Sequence, residues 1–242
     1  MSTAEEWSNP SVIDYYYQNR HDVSDLYPSE KVFLPRVLFP GATVLDVGCA
    51  SGGFFNIMRS FEPDLEYTGI DLSEKAIALA RERYPEATFV LTEGFNLPFD
   101  DNTFDIVHCT SVFNNEPKYQ EMLEEMYRVS NRFVVIDIRL LKNIGEFQET
   151  VYNIQFNAND VEAKVPYVVN DADEVANFIL QLEPKPAALR GTGYFHQVAK
   201  EAEPTGSEPC MTILLLQKGA PGNGSTVLDL DDLPIEFSIP GH

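Results

Sequence analysis

The sequence predicts an α/β protein in which a mostly parallel sheet carries helices on both faces. From residue 43 onward, short runs rich in β-branched and aromatic residues alternate with segments whose apolar residues recur at helical spacing. This alternation is typical of strand-helix-strand units, whose strands run parallel. Near the end of the chain, two apolar runs joined by a polar loop predict a hairpin that closes the sheet with an antiparallel strand.

Each element has its own local signal. The predicted strands are TVLDVG (43–48), EYTGID (66–71), ATFVLTEG (87–94), FDIVHCTS (104–111), RFVVIDIRL (132–140), ALRGTGYFHQV (188–198) and CMTILLLQK (210–218). The predicted helices are GGFFNIMRSF (52–61), SEKAIALARERY (73–84), KYQEMLEEMYRVS (118–130) and DADEVANFILQL (171–182). The second helix is the best defined, because Ser73 can cap its first turn and Pro85 follows its end.

We expect residues 1–219 to form one domain. Residues 1–40 precede the sheet and predict an N-terminal helical cover. Residues 142–170 are polar, interspersed with aromatic residues and without a clear helix, which is unusual unless they bind something, so they are the expected acceptor-binding insertion. Residues 220–242 are rich in Gly, Pro and Asp and predict a tail that is either loose or strapped over the surface.

The charge of the chain argues against two classes of partner. There are 38 acidic and 17 basic residues, which give a formal net charge of -21 at pH 7. Because no run of Lys or Arg offsets this charge, nucleic acid and anionic membrane surfaces would be repelled. No apolar window approaches the length of a membrane helix and no secretory leader is evident, so the expected location is the cytoplasm.

The cysteines indicate neither a disulfide framework nor a metal site. Cys49, Cys109 and Cys210 are odd in number and far apart, which fits reduced thiols and predicts no metal.

A glycine-rich turn follows the first predicted strand, in VLDVGCASGGFF. Such a turn lets a ligand approach the backbone closely and presents free amide groups at the start of the next helix. A dinucleotide site favours a second glycine near the pyrophosphate, and Ala50 occupies that position here. The turn alone is therefore a weak indication of NAD.

Two further segments reinforce the turn. Asp71 ends the second strand, 23 residues after Gly48, where a carboxylate can accept hydrogen bonds from both ribose hydroxyls. Glu93 and Gly94 end the third strand, where an acid can accept a hydrogen bond from an adenine amino group and a small residue leaves room for the ring. Asp71 could instead cap the following helix, and Glu93 could be a solvated loop acid.

Together, VLDVGCASGG, GIDLSEKAIALAR and LTEGFNLPFDDNTFDIVHCTSVF resemble the ligand-binding segments of class I S-adenosylmethionine-dependent methyltransferases, over roughly residues 40 to 138. The resemblance implies a Rossmann-like three-layer sandwich with a seven-stranded, mostly parallel sheet whose last strand is antiparallel. It implies S-adenosyl-L-methionine as cofactor. The cofactor-binding residues that it implies are Asp46, Gly48, Cys49, Ala50, Gly52, Asp71, Leu72, Glu93, Gly94, Phe95, Cys109 and Thr110.

In this set the turn and Asp46 would lie beside the methionine part, Asp71 would take the ribose diol, and backbone near Cys109 and Thr110 would receive the methionine amino group. Leu72 would pack on adenine. Asp46 could also be structural, because an acid at a strand end can bond the turn amides.

The chemistry does not require one fixed catalytic residue. Methyl transfer from a sulfonium is an in-line displacement that alignment and exclusion of water can accelerate, although a hydroxyl acceptor would benefit from a base. The weak candidates are His196, His21, Asn114 and Asn115, the two amides standing where relatives carry an acid-histidine or histidine pair. His108 lies within a strand and predicts a core histidine, and Tyr15, Tyr16 and Tyr17 could line the pocket or pack.

The leading hypothesis is methyl transfer to a small-molecule acceptor, with a hydroxyl as one option for the attacking group. Alternatives are a methyltransferase of a protein acceptor and a non-catalytic cofactor-binding module. A nicotinamide-dependent oxidoreductase is disfavoured, because no Tyr-x-x-x-Lys pair stands in a convincing context.

Overall fold

The computed structural model describes residues 3–142, 152–158, 161–195, 208–220, 222 and 224–239. The helices are α1 Thr3–Trp7, α2 Pro10–Asn19, α3 Glu30–Val37, α4 Gly53–Phe61, α5 Glu74–Arg83, α6 Tyr119–Val129 and α7 Ala172–Ile179, with a 3-10 turn at Val23–Asp25. The strands are β1 Ala42–Val47, β2 Leu65–Asp71, β3 Thr88–Leu91, β4 Phe104–Cys109, β5 Ser130–Leu141, β6 Tyr152–Ala158, β7 Val161–Tyr167, β8 Asn170–Asp171, β9 Ala188–Phe195, β10 Cys210–Gln217 and β11 Val227–Asp232.

The main sheet has the order β11-β9-β10-β5-β4-β1-β2-β3, and β8 pairs with β5 beside this path. Strands β1 to β5 pair in parallel, and β10 is antiparallel to both β5 and β9. The predicted α/β class with an antiparallel last strand is therefore confirmed. The predicted count of seven is too low for the described part of the sheet, because the short strands β8 and β11 add to the seven expected ones.

Alternation along the strands divides the core into two layers. On β1, Leu45 and Val47 pack with α6 and α7, whereas Ala42 and Val44 pack with α3 and α4. Successive side chains of a strand point to opposite faces, so a strand covered on both faces must be apolar at nearly every position. This explains why the central strands read as continuous apolar runs in the sequence.

Local capping confirms the expected helix start at Ser73. Its hydroxyl accepts a hydrogen bond from the Ala76 amide at 3.3 Å, and α5 begins at the next residue. Helix α4 begins differently, because Gly52 precedes it with a φ of 84° and no side-chain cap. The free amides at this helix start face the carboxyl edge of the sheet, where the functional site lies.

The predicted insertion and the C-terminal tail contain strands that the sequence did not predict. Within the predicted insertion, β6 and β7 form an antiparallel hairpin, and β7 packs against α1 and α2. In the described part of the tail, β11 pairs in parallel with β9, and Leu233 and Ile239 are buried. Ser238 is held by Asp173, which accepts its amide hydrogen at 2.7 Å.

The described residues include all three cysteines and every helix named above. Cys49, Cys109 and Cys210 are free and buried, as expected for reduced thiols. Across the described ranges, no helix is both long and apolar enough to cross a membrane.

Candidate functional site

A cavity of about 280 Å³ lies beyond the carboxyl ends of β1, β2 and β4. Ligands of open α/β sheets bind at this edge, because the loops that leave parallel strands converge there. We call the wall made by residues 46–51, 70–72, 92–95 and 110–112 the strand side. We call the opposite wall, made by Trp7, Val12, Ile13, Tyr16, Tyr17 and Arg20, the cover side.

Most of the predicted cofactor-binding residues meet at this cavity. Those that line it are Asp46, Gly48, Cys49, Ala50, Asp71, Leu72, Glu93, Gly94, Phe95 and Thr110. Two do not line it. Gly52 faces away, since a Cβ there would meet the rings of Phe89 and Tyr84 at 3.0 Å, and Cys109 is fully buried. Gly52 therefore contributes its left-handed backbone rather than a contact surface.

The glycine turn is shaped by close packing against the loop after β4. Gly48 has a φ of 77°, and a Cβ at this position would lie 2.3 Å from Val112 Cγ2. Ala50 also has a positive φ, of 47°, and its amide donates a hydrogen bond to Asp71 Oδ2 at 2.9 Å. A non-glycine residue in this conformation is strained, and the bond to Asp71 helps to hold it.

Asp71 joins the turn to the next helix. Its Oδ1 accepts the Ser73 amide hydrogen at 2.8 Å while Oδ2 accepts that of Ala50. Because Ser73 is the N-cap of α5, Asp71 does not cap the helix itself but holds the residue that does. A carboxylate has further lone pairs beyond these two bonds, so it can still accept from a ligand in the cavity. Burial raises the pKa of Asp71, and the two amide hydrogens oppose that rise.

Asp46 is a structural acid at the cavity wall. It is 2% exposed, accepts a short hydrogen bond from the Tyr67 hydroxyl, and lies 2.7 Å from His108 Nδ1 through Oδ1. Burial, followed by the charge of Asp46, raises the pKa of Tyr67. His108 is buried beside the Phe54 ring, at 4.5 Å between centroids, which confirms the prediction of a core histidine.

The far end of the strand side is more open. Leu72 is 37% exposed and Glu93 is exposed, so both can be reached by a ligand as well as by water. Gly94 packs against Met122 of α6, since a Cβ there would lie 2.6 Å from Met122 Cε. The sequence did not indicate Met122, although it also lines the cavity.

The cover side contains the residues that sequence reasoning largely missed. Val12, Tyr16 and Arg20 are spaced by four, as are Ile13 and Tyr17, so one face of α2 and its C-terminal end meets the cavity. This four-residue spacing is the feature of the sequence from which the cover side could have been predicted. Tyr16 and Tyr17 of the expected aromatic run line the cavity, whereas Tyr15 does not.

Arg20 is the cation of the cover side. Its side chain is 8% exposed, pairs with Glu30 through Nη2, and donates from Nη1 to the Asp25 carbonyl at 3.1 Å. Its Nε has no hydrogen-bond partner among the described residues. A buried guanidinium with a spare donor is suited to a ligand carboxylate.

Two more buried polar atoms of cavity-lining residues have no partner in the described part of the chain. They are Ser51 Oγ and Thr110 Oγ1. Buried polar atoms are normally hydrogen-bonded, so three orphaned atoms around one cavity indicate a polar ligand there. An amino acid group, with a carboxylate and an ammonium, offers partners for both kinds of atom.

The candidate catalytic residues separate in the structure. Asn115 lines the cavity, and its amide donates to the Ser111 carbonyl at 3.1 Å. Asn114, a weak catalytic candidate, is buried, does not line the cavity, and donates its side-chain amide hydrogen to Asp137. His21 lies outside the cavity, stacked on Tyr17 and 3.5 Å from Asp25 Oδ2. His196 lies outside the described residues.

Glu116 was not predicted. It lines the cavity next to Asn115, and its Oε1 accepts the Lys118 amide hydrogen at 2.8 Å. In the portion of the chain that the structure describes, no histidine lines the cavity and no cluster of three or more His, Cys, Asp or Glu residues could hold a metal ion.

Comparison with known proteins agrees with this arrangement. A family model described as a methyltransferase domain matches residues 38–203, which is more than half of the chain. A demethylmenaquinone methyltransferase of Thermotoga maritima is 30% identical over 113 residues, covering 46% of this chain and 49% of its own length. A phthiotriol/phenolphthiotriol dimycocerosates methyltransferase of Mycobacterium leprae is 28% identical over 138 residues, covering 54% and 51%.

The chain thus spans about half the length of these curated relatives. Among solved structures, phosphoethanolamine N-methyltransferase 2 of Haemonchus contortus in complex with S-adenosyl-L-methionine superposes with a TM-score of 0.64 at 12% identity, covering 91% of this chain and 60% of that one. This likeness shows a shared fold. The chain belongs to the S-adenosylmethionine-dependent methyltransferase family, and S-adenosyl-L-methionine is the cofactor of that family.

Proposed function

We propose that this protein transfers the methyl group of S-adenosylmethionine to a hydroxyl of a small-molecule acceptor. The observation that carries the proposal is a single cavity bounded by the three adenosyl-type segments on the strand side and by aromatic residues on the cover side. A donor held by the strand side would therefore meet an acceptor held against the cover side, with water largely excluded.

The strand side would hold the donor in parts. Asp71 would accept hydrogen bonds from the ribose hydroxyls, while Leu72, Gly94 and Phe95 would enclose adenine and Glu93 would lie at its edge. The fit of the methionine part is supported by the orphaned atoms of Arg20 and Thr110, whose partners would be the carboxylate and the amino group. When bound, the cofactor supplies an electrophilic methyl group on a positively charged sulfur.

The acceptor would occupy the space next to the cover side. Trp7 and Tyr16 line this space with aromatic side chains, and β7 of the insertion packs against α1 and α2, the helices that carry them. We propose that residues 142–170 bind the acceptor and residues 1–40 cover it, within a single domain of residues 1–219 that the tail 220–242 straps. The names of the two curated relatives support a small-molecule acceptor.

Glu116 would act as the base. Its carboxylate would take the proton that the acceptor hydroxyl loses as the hydroxyl oxygen bonds to the methyl carbon and the carbon-sulfur bond breaks toward sulfur. Asn115, adjacent and also at the cavity, would orient the acceptor by hydrogen bonding. The remaining acceleration would come from alignment of the two reactants.

The test is transfer of a labelled methyl group from S-adenosylmethionine into fractionated cell extract. With the natural protein we expect label in a small-molecule fraction, and with Asp71→Asn we expect loss of transfer. Asp105→Asn should transfer normally, because Asp105 lies at the amino end of β4, away from the cavity. Label in the macromolecular fraction would favour a protein acceptor instead. Label that stays wholly in the cofactor would support the non-catalytic alternative, and a thermal shift with NAD(H) alone would support an oxidoreductase.

A further inference from the structure

The turn that follows β4, residues 110–116, is held by a buried carboxylate outside the cavity. We call this segment the β4 turn. Ser111 has a φ of 64°, a conformation that a non-glycine residue adopts rarely and at a cost in free energy. Its amide donates a hydrogen bond of 2.6 Å to Oδ1 of Asp137, on the neighbouring strand β5. The strained residue is therefore fixed by an anchor that is itself rigid.

The second oxygen of Asp137 holds the other end of the same turn. Asn114 Nδ2 donates to Asp137 Oδ2 at 2.9 Å, and both side chains are buried, at 3% and 5% exposure. One carboxylate thus bridges two residues of the β4 turn. Ser111, which is one anchored residue, and Asn115, which follows the other, line the cavity, and Val112 between them packs on the Gly48 turn.

The β4 turn also touches the predicted acceptor-binding insertion. The Asn114 carbonyl accepts two hydrogen bonds, from Arg139 Nη1 at 2.6 Å and from the Val168 amide at 3.0 Å. The Arg139 guanidinium lies 4.0 Å from the centre of the Tyr167 ring. Through these contacts, the segment that follows β7 rests on the same turn that Asp137 fixes.

Asp137 lies in an environment that disfavours the charged form of its carboxyl group. Burial and the nearby Glu30 carboxylate raise the pKa of Asp137 to about 6, and the Ser111 amide together with Arg20 and Arg139 opposes the rise. A neutral apolar side chain would be easier to bury here. The two hydrogen bonds to the β4 turn give a reason for an acid at this position.

We infer that Asp137 is a positioning residue that holds the β4 turn in the conformation needed to bind the methyl donor and to seat the acceptor-binding insertion. The inference rests on the proposed function for the identity of the ligand, whereas the holding of the turn is a property of the ligand-free protein. Asp137 would act through Ser111 and Asn114, without contact to substrate or cofactor.

The first experiment uses hydrogen-deuterium exchange of the ligand-free protein. The Ser111 amide, bonded to a buried carboxylate, should be protected like the amides of neighbouring strands. Asp137→Ala should speed exchange across residues 108–116, whereas Asp105→Ala should not. Asp105 is the control, because it also accepts a backbone amide and side-chain donors: the amide and hydroxyl of Thr43, at 3.2 and 3.1 Å, and Asn131 Nδ2 at 3.3 Å.

The second experiment measures the affinity for S-adenosylhomocysteine by calorimetry. Asp137→Ala should weaken it about tenfold, since only a fraction of molecules would then have the competent turn. Asp137→Asn should stay within about threefold of the natural protein, because Asn114 can reverse its amide and offer Oδ1, which has no partner among the described residues. Ser111→Gly should restore part of the affinity lost in Asp137→Ala, because glycine adopts the left-handed conformation without strain.

These outcomes separate the inference from the proposed function. If the natural protein does not bind S-adenosylhomocysteine, the proposed function fails, and exchange at the β4 turn still decides whether Asp137 holds it. Rapid exchange of Ser111 in the natural protein would overturn the inference even if Asp137→Ala does not fold. Equal affinities of Asp137→Ala and Asp105→Ala would also overturn it.

Discussion

The two walls of the cavity are formed by different secondary-structure elements. The strand side consists of short turns that leave buried parallel strands, and its shape is fixed by close contacts such as that of the Gly48 backbone with the Val112 side chain. The cover side consists of one face of α2 and the residues around it, and it is fixed by a buried ion pair between Arg20 and Glu30. The turns of the first wall carry a local signal in the sequence, because their residues need particular backbone angles, whereas nothing in the sequence around Arg20 indicates the partners that hold it at the cavity.

This difference suggests a division of labour. A wall made from strand ends is rigid, because any change in it must move the sheet. A wall made from helices that precede the sheet can vary in length and composition without altering the sheet. We therefore expect the strand side to set the donor, with Arg20 reaching the donor's carboxylate from the cover side, and the rest of the cover side to set the acceptor.

The largest expected effect comes from filling the close contact on the strand side. Gly48→Ala places a methyl group 2.3 Å from Val112 Cγ2, so binding of S-adenosylhomocysteine should weaken more than about a hundredfold in calorimetry. Gly41→Ala is the matched control. Gly41 has nearly the same φ, 75° against 77°, yet nothing lies within 4 Å of its added Cβ.

The control separates the two costs of the substitution. Left-handed strain alone costs about 1–2 kcal/mol of folding stability and should appear equally in both variants. Similar donor affinity in Gly48→Ala and Gly41→Ala would mean that close packing does not define the strand side.

The next-largest effect is expected on catalysis, at Glu116, the last residue of the β4 turn. Glu116→Gln keeps the shape of the side chain and removes its basicity, so kcat should fall about a hundredfold while donor affinity stays unchanged. Steady-state kinetics with the identified acceptor, combined with calorimetry, would check both parts. An unchanged kcat would show that the reaction needs no base at this position.

A smaller effect is expected for the cation of the cover side. Arg20→Lys retains the charge beside Glu30 but loses the planar set of donors, so affinity for S-adenosylhomocysteine should fall about tenfold. Arg59→Lys is the control, because Arg59 pairs with Glu86 on the surface at 3.0 Å, with both side chains well exposed. If both variants bind equally well, Arg20 does not contact the donor and the cover side serves the acceptor alone.

The last expected effect is on stability rather than on binding or catalysis. The pKa of Asp137 is raised in the folded state to about 6, so the folded protein binds this proton more tightly than the unfolded chain. The contribution of this group to stability therefore falls as pH rises from about 4 to 6 and stays low above that.

Asp137→Asn carries no charge and should stabilise the fold at pH 7.5 by up to about 3 kcal/mol, given about 1.4 kcal/mol per pKa unit. The gain should be much smaller at pH 4.5. Thermal unfolding at both pH values checks this prediction. A variant that is less stable than the natural protein at pH 7.5 would show that the charge of Asp137 itself stabilises the fold.

The sequence predicted the sheet well because the strands carry their own signals. Continuous apolar runs such as that around Val44 and Leu45 can be satisfied only in a sheet covered on both faces. The glycine turn and Asp71 were also accessible, since the turn residues need particular backbone angles and the acid ends a strand. These features depend on residues close together in the chain.

The parts that were missed depend on residues far apart. Arg20 reaches the cavity because Glu30 and the Phe54 ring hold it, and neither partner is implied by its neighbours in sequence. Asp137 follows the apolar run FVVI of β5, and its role emerges only from its hydrogen bonds to Ser111 and Asn114, which are distant in the sequence. β11 was missed because alternating acids in VLDLDD suit an edge strand as well as a loose tail.

The central claim is that the strand side binds the methyl donor, and calorimetric titration of the natural protein with S-adenosylhomocysteine tests it most directly. The account predicts one site per chain with a Kd of about micromolar order, reduced to undetectable binding in Gly48→Ala and retained in Gly41→Ala. The absence of measurable heat with the natural protein, under conditions in which the protein is folded, would contradict it.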